Sequence, residues 1–269
     1  MSDVRAIESL LAFWADAGVD VALAETPQDR TAAGREALAP KAAPARAPTP
    51  GAFPRAPPTE GLDAGAVGAA RAAAAAADDL AALAAAIAAF DGCPLKHQGA
   101  RQAVFSRGAA DAHVMVIGEG PGGEEDLQGA PFVGRAGKLL DKMLTAAGLS
   151  ERVFITNTVF WRPPGNRTPT PAEQAACAPF LERAIALVRP RILLLVGAAS
   201  AKHFLQRTEG ILSLRGRWFE WRSEDGQIEL PALPTLHPAF LLRQPAAKKL
   251  AWDDFLTLTE RLDRGQRPT

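Results

Sequence analysis

Cysteine is scarce in this chain of 269 residues, which contains only two. Two cysteines are too few for a disulfide scaffold, and they point to a reducing compartment. Net charge is also lacking, because 30 basic side chains balance 30 acidic ones. That balance excludes a wholly basic DNA-coating protein but not a local basic groove. No apolar run reaches the roughly 18 residues of a spanning helix. Asp3 precedes any apolar stretch, unlike the layout of a signal peptide. Secreted, fibrous and transmembrane classes are therefore disfavoured.

The composition changes along the chain and divides it into three predicted parts. Residues 1–26 hold one short apolar segment with helical spacing, so they predict an N-terminal helical segment. Residues 27–66 are rich in Ala, Pro and Arg and have too little bulky apolar surface to offset the entropy of ordering. They predict a disordered linker. Residues 67–269 predict one folded domain, which begins with an Ala-rich helix at 67–90.

From about residue 91, short apolar runs alternate with stretches of helical periodicity. The runs predict strands at 113–117, 153–157 and 192–197, with a hairpin or edge strands at 217–221 and 228–233. Helices are expected at about 138–144, 170–188, 199–205 and 245–262. In the second of these, Thr170 is the predicted N-cap and Glu173 completes a capping box. The alternation favours a mostly parallel sheet with helices on both faces.

Three polar or glycine-rich segments follow predicted strands. They are the loop from Gly118, the loop from Asn157 and the segment 234–238, PTLHP. In open α/β sheets, ligands bind beyond the carboxyl ends of the strands. The convergence of these segments is therefore the first indication of a site.

The first of these loops, 118–123, formally matches the G-x-G-x-x-G pattern of dinucleotide-binding folds. Such folds need a helix that begins at once, with its N-terminus facing a pyrophosphate. Here Pro121 and the acidic run 124–126 intervene, the next helix is expected only at about 135, and a phosphate-binding lysine is missing. We therefore expect no nucleotide cofactor. A nucleotide-dependent α/β enzyme remains an alternative that dinucleotide titration would test.

Three segments, in this order and spacing, resemble the motifs of the family 4 uracil-DNA glycosylases. The first comprises residues 118–126, GEGPGGEED, and 129–137, GAPFVGRAG; the second comprises 155–157, ITN, and 162–167, RPPGNR; the third is 237–243, HPAFLLR. The resemblance spans roughly residues 90–260. It implies a three-layer α/β/α domain with a central, mostly parallel four-stranded sheet.

The resemblance also implies a function. It predicts a DNA repair enzyme, a monofunctional glycosylase that flips uracil out of DNA and hydrolyses its N-glycosidic bond, leaving an abasic site. The partner would be uracil-containing DNA, with no membrane and no nucleotide cofactor. The protein would be a monomer in a bacterial-type cytoplasm, associated with the nucleoid.

The chain departs from the family pattern at the iron–sulfur cluster, which the family usually holds on four cysteines. Cys93 and Cys177 match two of the four positions, but Phe90 and Trp161 stand at the other two. Because such a cluster normally needs four thiolates, we predict that it is absent and that the two aromatic side chains fill its place. The cysteines are then buried free thiols.

A second departure is Gly120, where the family usually has Ala. The missing methyl group predicts a wider pocket or a looser loop. It leaves open a shifted base preference, such as hypoxanthine or xanthine. The lost cysteines leave open a catalytically weak DNA-binding or lesion-sensing relative.

The resemblance assigns roles in a base pocket. Gly118 and Gly120 lie beside the base, Phe132 is the stacking face, and Asn157 pairs with the imide edge of uracil. His237 donates a hydrogen bond to the departing base. Glu119 and Glu125 are the acid–base candidates, with Glu125 orienting water and Glu119 against the base.

The last assignments concern DNA. Leu241 and Leu242 form a wedge that enters the gap left by the flipped base. Arg243 lies on a phosphate, and Arg162 and Arg167 extend the basic track.

Overall fold

The computed structural model describes residues 64–263. The predicted N-terminal segment 1–26 and the predicted linker up to residue 63 lie outside the described residues, so the division into three parts stays a prediction. The first described helix, α1, covers Ala64–Ala75, so it begins inside the stretch predicted as linker. Within the described part of the chain, no helix is long and apolar enough to cross a membrane.

The Ala-rich stretch forms two helices and not the single helix that its composition predicts. Helix α1 ends at Ala75, and α2 covers Leu80–Ala89. The side chain of Asp79 accepts a hydrogen bond of 2.7 Å from the backbone N–H of Ala82. Because Asp is a preferred N-cap residue, this pair of atoms starts a new helix where Ala propensity alone would continue the old one.

The remaining elements follow the predicted alternation. The strands are β1 (Arg107–Gly108), β2 (Val114–Gly118), β3 (Val153–Asn157), β4 (Ile192–Val196), β5 (Phe219–Arg222) and β6 (Glu229–Thr235). The helices after α2 are α3 (Gly123–Gln128), α4 (Arg135–Ala146), α5 (Pro171–Val188), α6 (Ala198–Leu205), α7 (Ile211–Leu214), α8 (Pro238–Arg243) and α9 (Lys248–Asp263). The predicted cap of α5 is confirmed, because Thr170 and Glu173 form a capping box.

The six strands form one sheet in the order β1-β3-β2-β4-β6-β5. The four central strands run parallel to one another, and β1 and β5 join the two edges antiparallel. The α/β class and the four parallel strands are confirmed. The strand count differs from the predicted four because the edge strands add two, and β1, with two residues, is too short to leave a periodic pattern.

Alternate residues of the strands face two separate apolar cores. Met115, Ile117 and Leu193 pack with helices α1, α2 and α5 on one face. Val114, Val116 and Leu194 pack with α4 and α9 on the other. The sheet is therefore the middle of three layers.

The register of the parallel strands brings their carboxyl ends together. Gly118 at the end of β2 pairs with Asn157 at the end of β3, and Val196 of β4 pairs with Thr235 of β6. The loops that follow these strands consequently meet at one edge of the sheet.

Candidate active site

A cavity of about 530 Å³ opens at the carboxyl edge of the sheet. All three segments that the sequence singled out contribute to its lining, with the residues Glu119, Gly120, Glu125, Phe132, Asn157, Arg167, His237 and Arg243. The expected convergence of the three segments is therefore present in the fold.

The aromatic face of the cavity is Phe132, of which only 6% is exposed. Its ring lies 5.7 Å from the imidazole of His237, with 29° between the planes. The backbone of Gly118 passes close beneath it, since a Cβ at that position would lie 2.5 Å from Phe132 Cζ and would also clash with Asn157 Oδ1. Only glycine at 118 lets the ring and the amide approach each other in this way.

Asn157 presents the amide of the cavity. The residue is only 2% exposed and lies at the last position of β3. Its side chain makes no hydrogen bond to any other residue that the structure describes, although it lines the cavity. A nearly buried amide that makes no hydrogen bond is energetically unfavourable. Its N–H donor and its oxygen acceptor are therefore available to a ligand.

His237 is held in one tautomer by its own helix. Its Nδ1 accepts a hydrogen bond of 3.1 Å from the backbone N–H of Ala239, as the N-cap of α8. The pKa of His237 is lowered from 6.5 to about 4, chiefly by burial and further by the charge of Arg243, while Glu125 opposes the shift. The ring is therefore neutral at neutral pH, and its proton is on Nε2.

Glu125 ties two loops together. Its Oε2 accepts from the N–H of Gly122 at 3.1 Å, and its Oε1 accepts from the N–H groups of Val133 at 3.0 Å and Gly134 at 2.9 Å. These contacts place Glu125 in the first turn of α3, which begins at Gly123.

The position of α3 corrects the expectation that no helix precedes residue 135. The acidic run 124–126 forms the first turn of α3, where carboxylates are favoured by the helix dipole. The carboxylate of Glu125 lies where an anionic pyrophosphate would have to bind. The helix therefore begins early enough for a dinucleotide-binding loop, but Glu125 already occupies its N-terminus.

Glu119 is the second carboxylate at the cavity. Its backbone carbonyl accepts a hydrogen bond from Thr158 Oγ1 at 2.6 Å, which fixes the main chain. Its side chain makes no hydrogen bond to another described residue. Of the two acids, Glu119 has both carboxylate oxygens available, whereas three backbone donors already engage Glu125.

The arginines of the predicted basic track differ in their contacts, since two bind other side chains of the protein and one is exposed. Arg167 makes two hydrogen bonds, of 2.8 and 2.6 Å, to the carboxylate of Glu173, whose side chain is only 5% exposed. Arg162 donates to Asn166 Oδ1 at 2.7 Å. Arg243 is exposed and forms no ion pair with any residue that the structure describes.

The predicted leucine wedge is corrected by the structure. Leu241 is fully buried and packs with Leu236 and Ala251, because it lies on the inner face of α8. Leu242 is on the outer face and is 38% exposed. Only Leu242 is therefore accessible to a ligand.

Comparison with known proteins adds to this geometry. The Uracil DNA glycosylase superfamily matches residues 105–256. The chain is 42% identical over 153 residues to the Type-4 uracil-DNA glycosylase of Thermotoga maritima, covering 56% of this chain and 77% of the relative. It is 41% identical over 163 residues to that of Pyrobaculum aerophilum, covering 59% and 82%. It is 40% identical over 168 residues to that of Saccharolobus solfataricus, covering 60% and 77%.

The chain belongs to the uracil-DNA glycosylase superfamily and, within it, to the type-4 family. The matched region lies within the described residues and includes every cavity residue named above. The family resemblance of the three motifs is thereby confirmed, whereas the roles of single residues in them remain predictions.

The residues at the cluster position of the type-4 family do not fit a four-iron, four-sulfur cluster. The sequence has only Cys93 and Cys177, and their sulfur atoms lie 3.9 Å apart in the core. Phe90 and Trp161 belong to the same buried cluster of apolar residues. Within residues 64–263, no group of three or more His, Cys, Asp or Glu is placed to hold a metal ion.

The two thiols differ in environment although they touch. Burial raises the pKa of Cys177 well above its ordinary value, and its contact with Cys93 acts in the same direction. The pKa of Cys93 is lowered, mainly because Cys177 donates a hydrogen bond to it. Cys177 is therefore a thiol at neutral pH, as expected for a buried cysteine.

Gly120, the other departure from the family pattern, lines the cavity, but its missing methyl group faces the wall. A Cβ at this position would lie 2.9 Å from Cγ2 of the buried Val159. The glycine thus relieves a contact with Val159, and the next-nearest atoms belong to Pro169 and Pro163, which line the cavity.

Arg107 contacts the cavity loop, although no sequence motif includes it. Its guanidinium donates to the carbonyls of Pro131 at 2.7 Å and Phe132 at 3.1 Å, and to Asp141 at 2.7 Å. It lies in the two-residue strand β1, and its partners are 24 to 34 positions away in the chain. No local sequence pattern predicts such contacts.

Proposed function

We propose that the chain excises uracil from DNA by hydrolysing the N-glycosidic bond, leaving an abasic site. The observation that carries this proposal is the meeting of Phe132, Asn157 and His237 around one cavity. Together they offer a stacking face, an amide and a hydrogen-bond donor, which are the groups that an extruded pyrimidine requires. Membership of the type-4 family supports the same reaction.

Base recognition is proposed to depend on the unpartnered amide of Asn157. Its N–H donates to O4 of uracil and its Oδ1 accepts from N3–H. Cytosine presents the opposite pattern, so it would leave the nearly buried amide unsatisfied. The ring of Phe132 stacks on the base, a contact worth about 1–3 kcal/mol and open to any planar ring.

His237 is proposed to stabilise the departing base. When the glycosidic bond breaks, uracil leaves as an anion with charge on O2 and O4. The proton on Nε2 of the neutral ring can donate to O2, because Nδ1 is already occupied by Ala239. A donor held in this way does not reorganise during the reaction.

The two carboxylates are proposed to act on the sugar side. Glu119, with both oxygens available, would orient the attacking water or offset the positive charge of the sugar. The sequence-based assignment gives the water to Glu125, whose Oε2 keeps one free acceptor position beside its bond to Gly122. Comparing Glu119→Gln with Glu125→Gln decides between them. Substitution of the residue that orients the water should lower kcat, whereas substitution of a residue that only holds the two loops together should lower thermal stability.

DNA binding is proposed to involve the outer face of α8. Leu242 is the accessible apolar side chain for the gap left by the base, and Arg243 beside it is the phosphate contact. Arg162 and the exposed Lys248 and Lys249 are proposed to add further phosphate contacts. Arg167 contributes by ordering its loop through Glu173.

The proposal further includes action as a monomer and without an iron–sulfur cluster or nucleotide. One chain supplies every group named above, which supports the monomer. Iron analysis and visible absorbance of the purified protein test the cluster, since a brown, iron-loaded sample would contradict it. The proposed compartment is a bacterial-type cytoplasm with its nucleoid, where such a DNA substrate would be found.

The decisive experiment is a base-release assay on single- and double-stranded oligonucleotides that contain uracil, hypoxanthine or xanthine. We expect release of uracil, and an approximately 100-fold loss in Asn157→Asp, which places an acceptor opposite O4. Release of a purine base instead of uracil would favour the shifted preference that Gly120 leaves open. Tight DNA binding with no release by the intact protein would favour the binding-only relative.

A further inference from the structure

The conformation of Phe132 is unusual for a non-glycine residue. Its φ is 55°, in the left-handed region that side chains other than glycine seldom adopt. Such a backbone persists only where the surroundings hold it. The stacking face of the cavity therefore depends on contacts outside the cavity, and these can be traced.

Contacts on both sides of Phe132 hold its backbone. Arg107 donates Nε–H to the carbonyl of Pro131, which precedes Phe132, and Nη2–H to the carbonyl of Phe132 itself. On the following side, Glu125 accepts from the N–H groups of the next two residues. These four hydrogen bonds bracket the left-handed residue.

Three further features fix this arrangement. Asp141 of α4 binds the same Nη2 of Arg107 at 2.7 Å, so the guanidinium bridges the turn and the helix behind it. Gly137 in α4 lets the helix approach the carbonyl of Phe132 so closely that any Cβ there would collide with it. Arg107 itself is anchored by the pairing of β1 with Ile155 of β3, the strand that ends at Asn157.

We propose that Arg107 is a positioning residue for base recognition, acting through Phe132 together with Asp141. This inference rests on the proposed function, because it concerns the ring on which the base stacks. Arg107 does not line the cavity and touches no reacting group. A planar fork suits the task, since its separate nitrogens present donors in fixed directions to two carbonyls and a carboxylate at once.

The kinetic consequence is a change in binding and not in the chemical step. Stacking is formed when the base enters and is retained while the bond breaks, so it contributes equally to ground and transition states. Arg107→Met should therefore raise KM for uracil-containing DNA about tenfold and leave kcat within about twofold. Asp141→Asn, which keeps both carbonyl contacts, should raise KM about threefold. Arg152→Met removes a partly exposed arginine that pairs with Asp263 and is the matched control, with unchanged KM.

A double-mutant cycle separates this role from general destabilisation. In a Phe132→Ala background there is no ring to position, so Arg107→Met should change KM less than about twofold further. An equal effect in both backgrounds, or no effect of Arg107→Met in the wild-type background, overturns the inference.

A readout without turnover keeps the inference testable if the protein releases no base. The Phe132 ring stacks on His237, and the chain has only four histidines, so the His237 ring protons can be assigned by NMR. Arg107→Met should shift these resonances and Arg152→Met should not. Absence of uracil release by the wild-type protein would count against the proposed function, whereas an unshifted His237 signal in Arg107→Met would count against the positioning role.

Discussion

At the scale of single residues, the protonation state of His237 links the site to stability. In the unfolded chain a histidine takes up its proton near its ordinary pKa of 6.5, whereas burial lowers the pKa of His237 in the fold to about 4. Between these values the unfolded state binds more protons. The unfolding free energy therefore has its full value above 6.5 and decreases as pH falls towards the folded pKa.

Replacing His237 with Gln removes this pH dependence of the unfolding free energy. The wild-type protein should lose about 1 kcal/mol more stability than the variant when the pH is lowered to one unit below 6.5. Urea denaturation of both proteins, above and inside this pH window, measures the difference. Parallel pH dependences of the two would show that His237 is not neutral in the fold.

Two arginines at the cavity rim are predicted to behave differently, although the sequence assigned both to DNA. Arg167→Ala leaves the buried Glu173 without its ion pair and should cost about 1–3 kcal/mol of stability, allowing for the partial exposure of Arg167. Arg243→Ala should leave stability unchanged and weaken DNA binding. The slope of log affinity against log salt concentration should become smaller by about one. Thermal unfolding and binding at several salt concentrations test the pair, and a reversed pattern would return Arg167 to the DNA track.

At the scale of elements, α8 has a buried face and an exposed face, for which we predict different roles. Leu241 lies in the apolar cluster with Leu236 and Ala251, so Leu241→Ala should cost about 2–5 kcal/mol. Leu242→Ala should cost less than about 0.5 kcal/mol, because its side chain is exposed, but it should reduce release from double-stranded DNA more than from single strands. The comparison of strand types is the informative control, since a wedge is needed only where a base must leave a duplex. Equal losses on both substrates would exclude the wedge.

The elements also show what the sequence can and cannot predict. Strands β2 and β4 are apolar runs and β3 begins with one. All three are buried along their length, and such runs can be recognised from the sequence. The break between α1 and α2 was missed because a single capping aspartate outweighed a long run of Ala. The three cavity segments were predictable because parallel strands end at the same edge. The hydrogen bond from Arg107 to the carbonyl of Phe132 was not predictable, since it depends on a two-residue edge strand and on a partner that is distant in the chain.

At the scale of the whole molecule, the aromatic side chains at the cluster position connect parts that are distant in the chain. Phe90 follows α2 and packs edge-to-face on Phe180 of α5, with ring centroids 5.1 Å apart. Trp161 follows β3 and packs on Phe160, which in turn contacts Phe180. Here apolar burial joins the leading helices, the sheet and α5.

This substitution of packing for a cluster makes Trp161 a residue on which global stability depends. Trp161 is only 2% exposed, so Trp161→Ala should cost about 3–5 kcal/mol in urea denaturation. Trp252→Ala is the matched control, because Trp252 is partly exposed on α9 and should cost less than half as much. An iron chelator should leave the unfolding of the wild-type protein unchanged, since no metal would be withdrawn. Wild-type stability that falls with chelation, together with a small effect of Trp161→Ala, would mean that a metal and not the indole joins these segments.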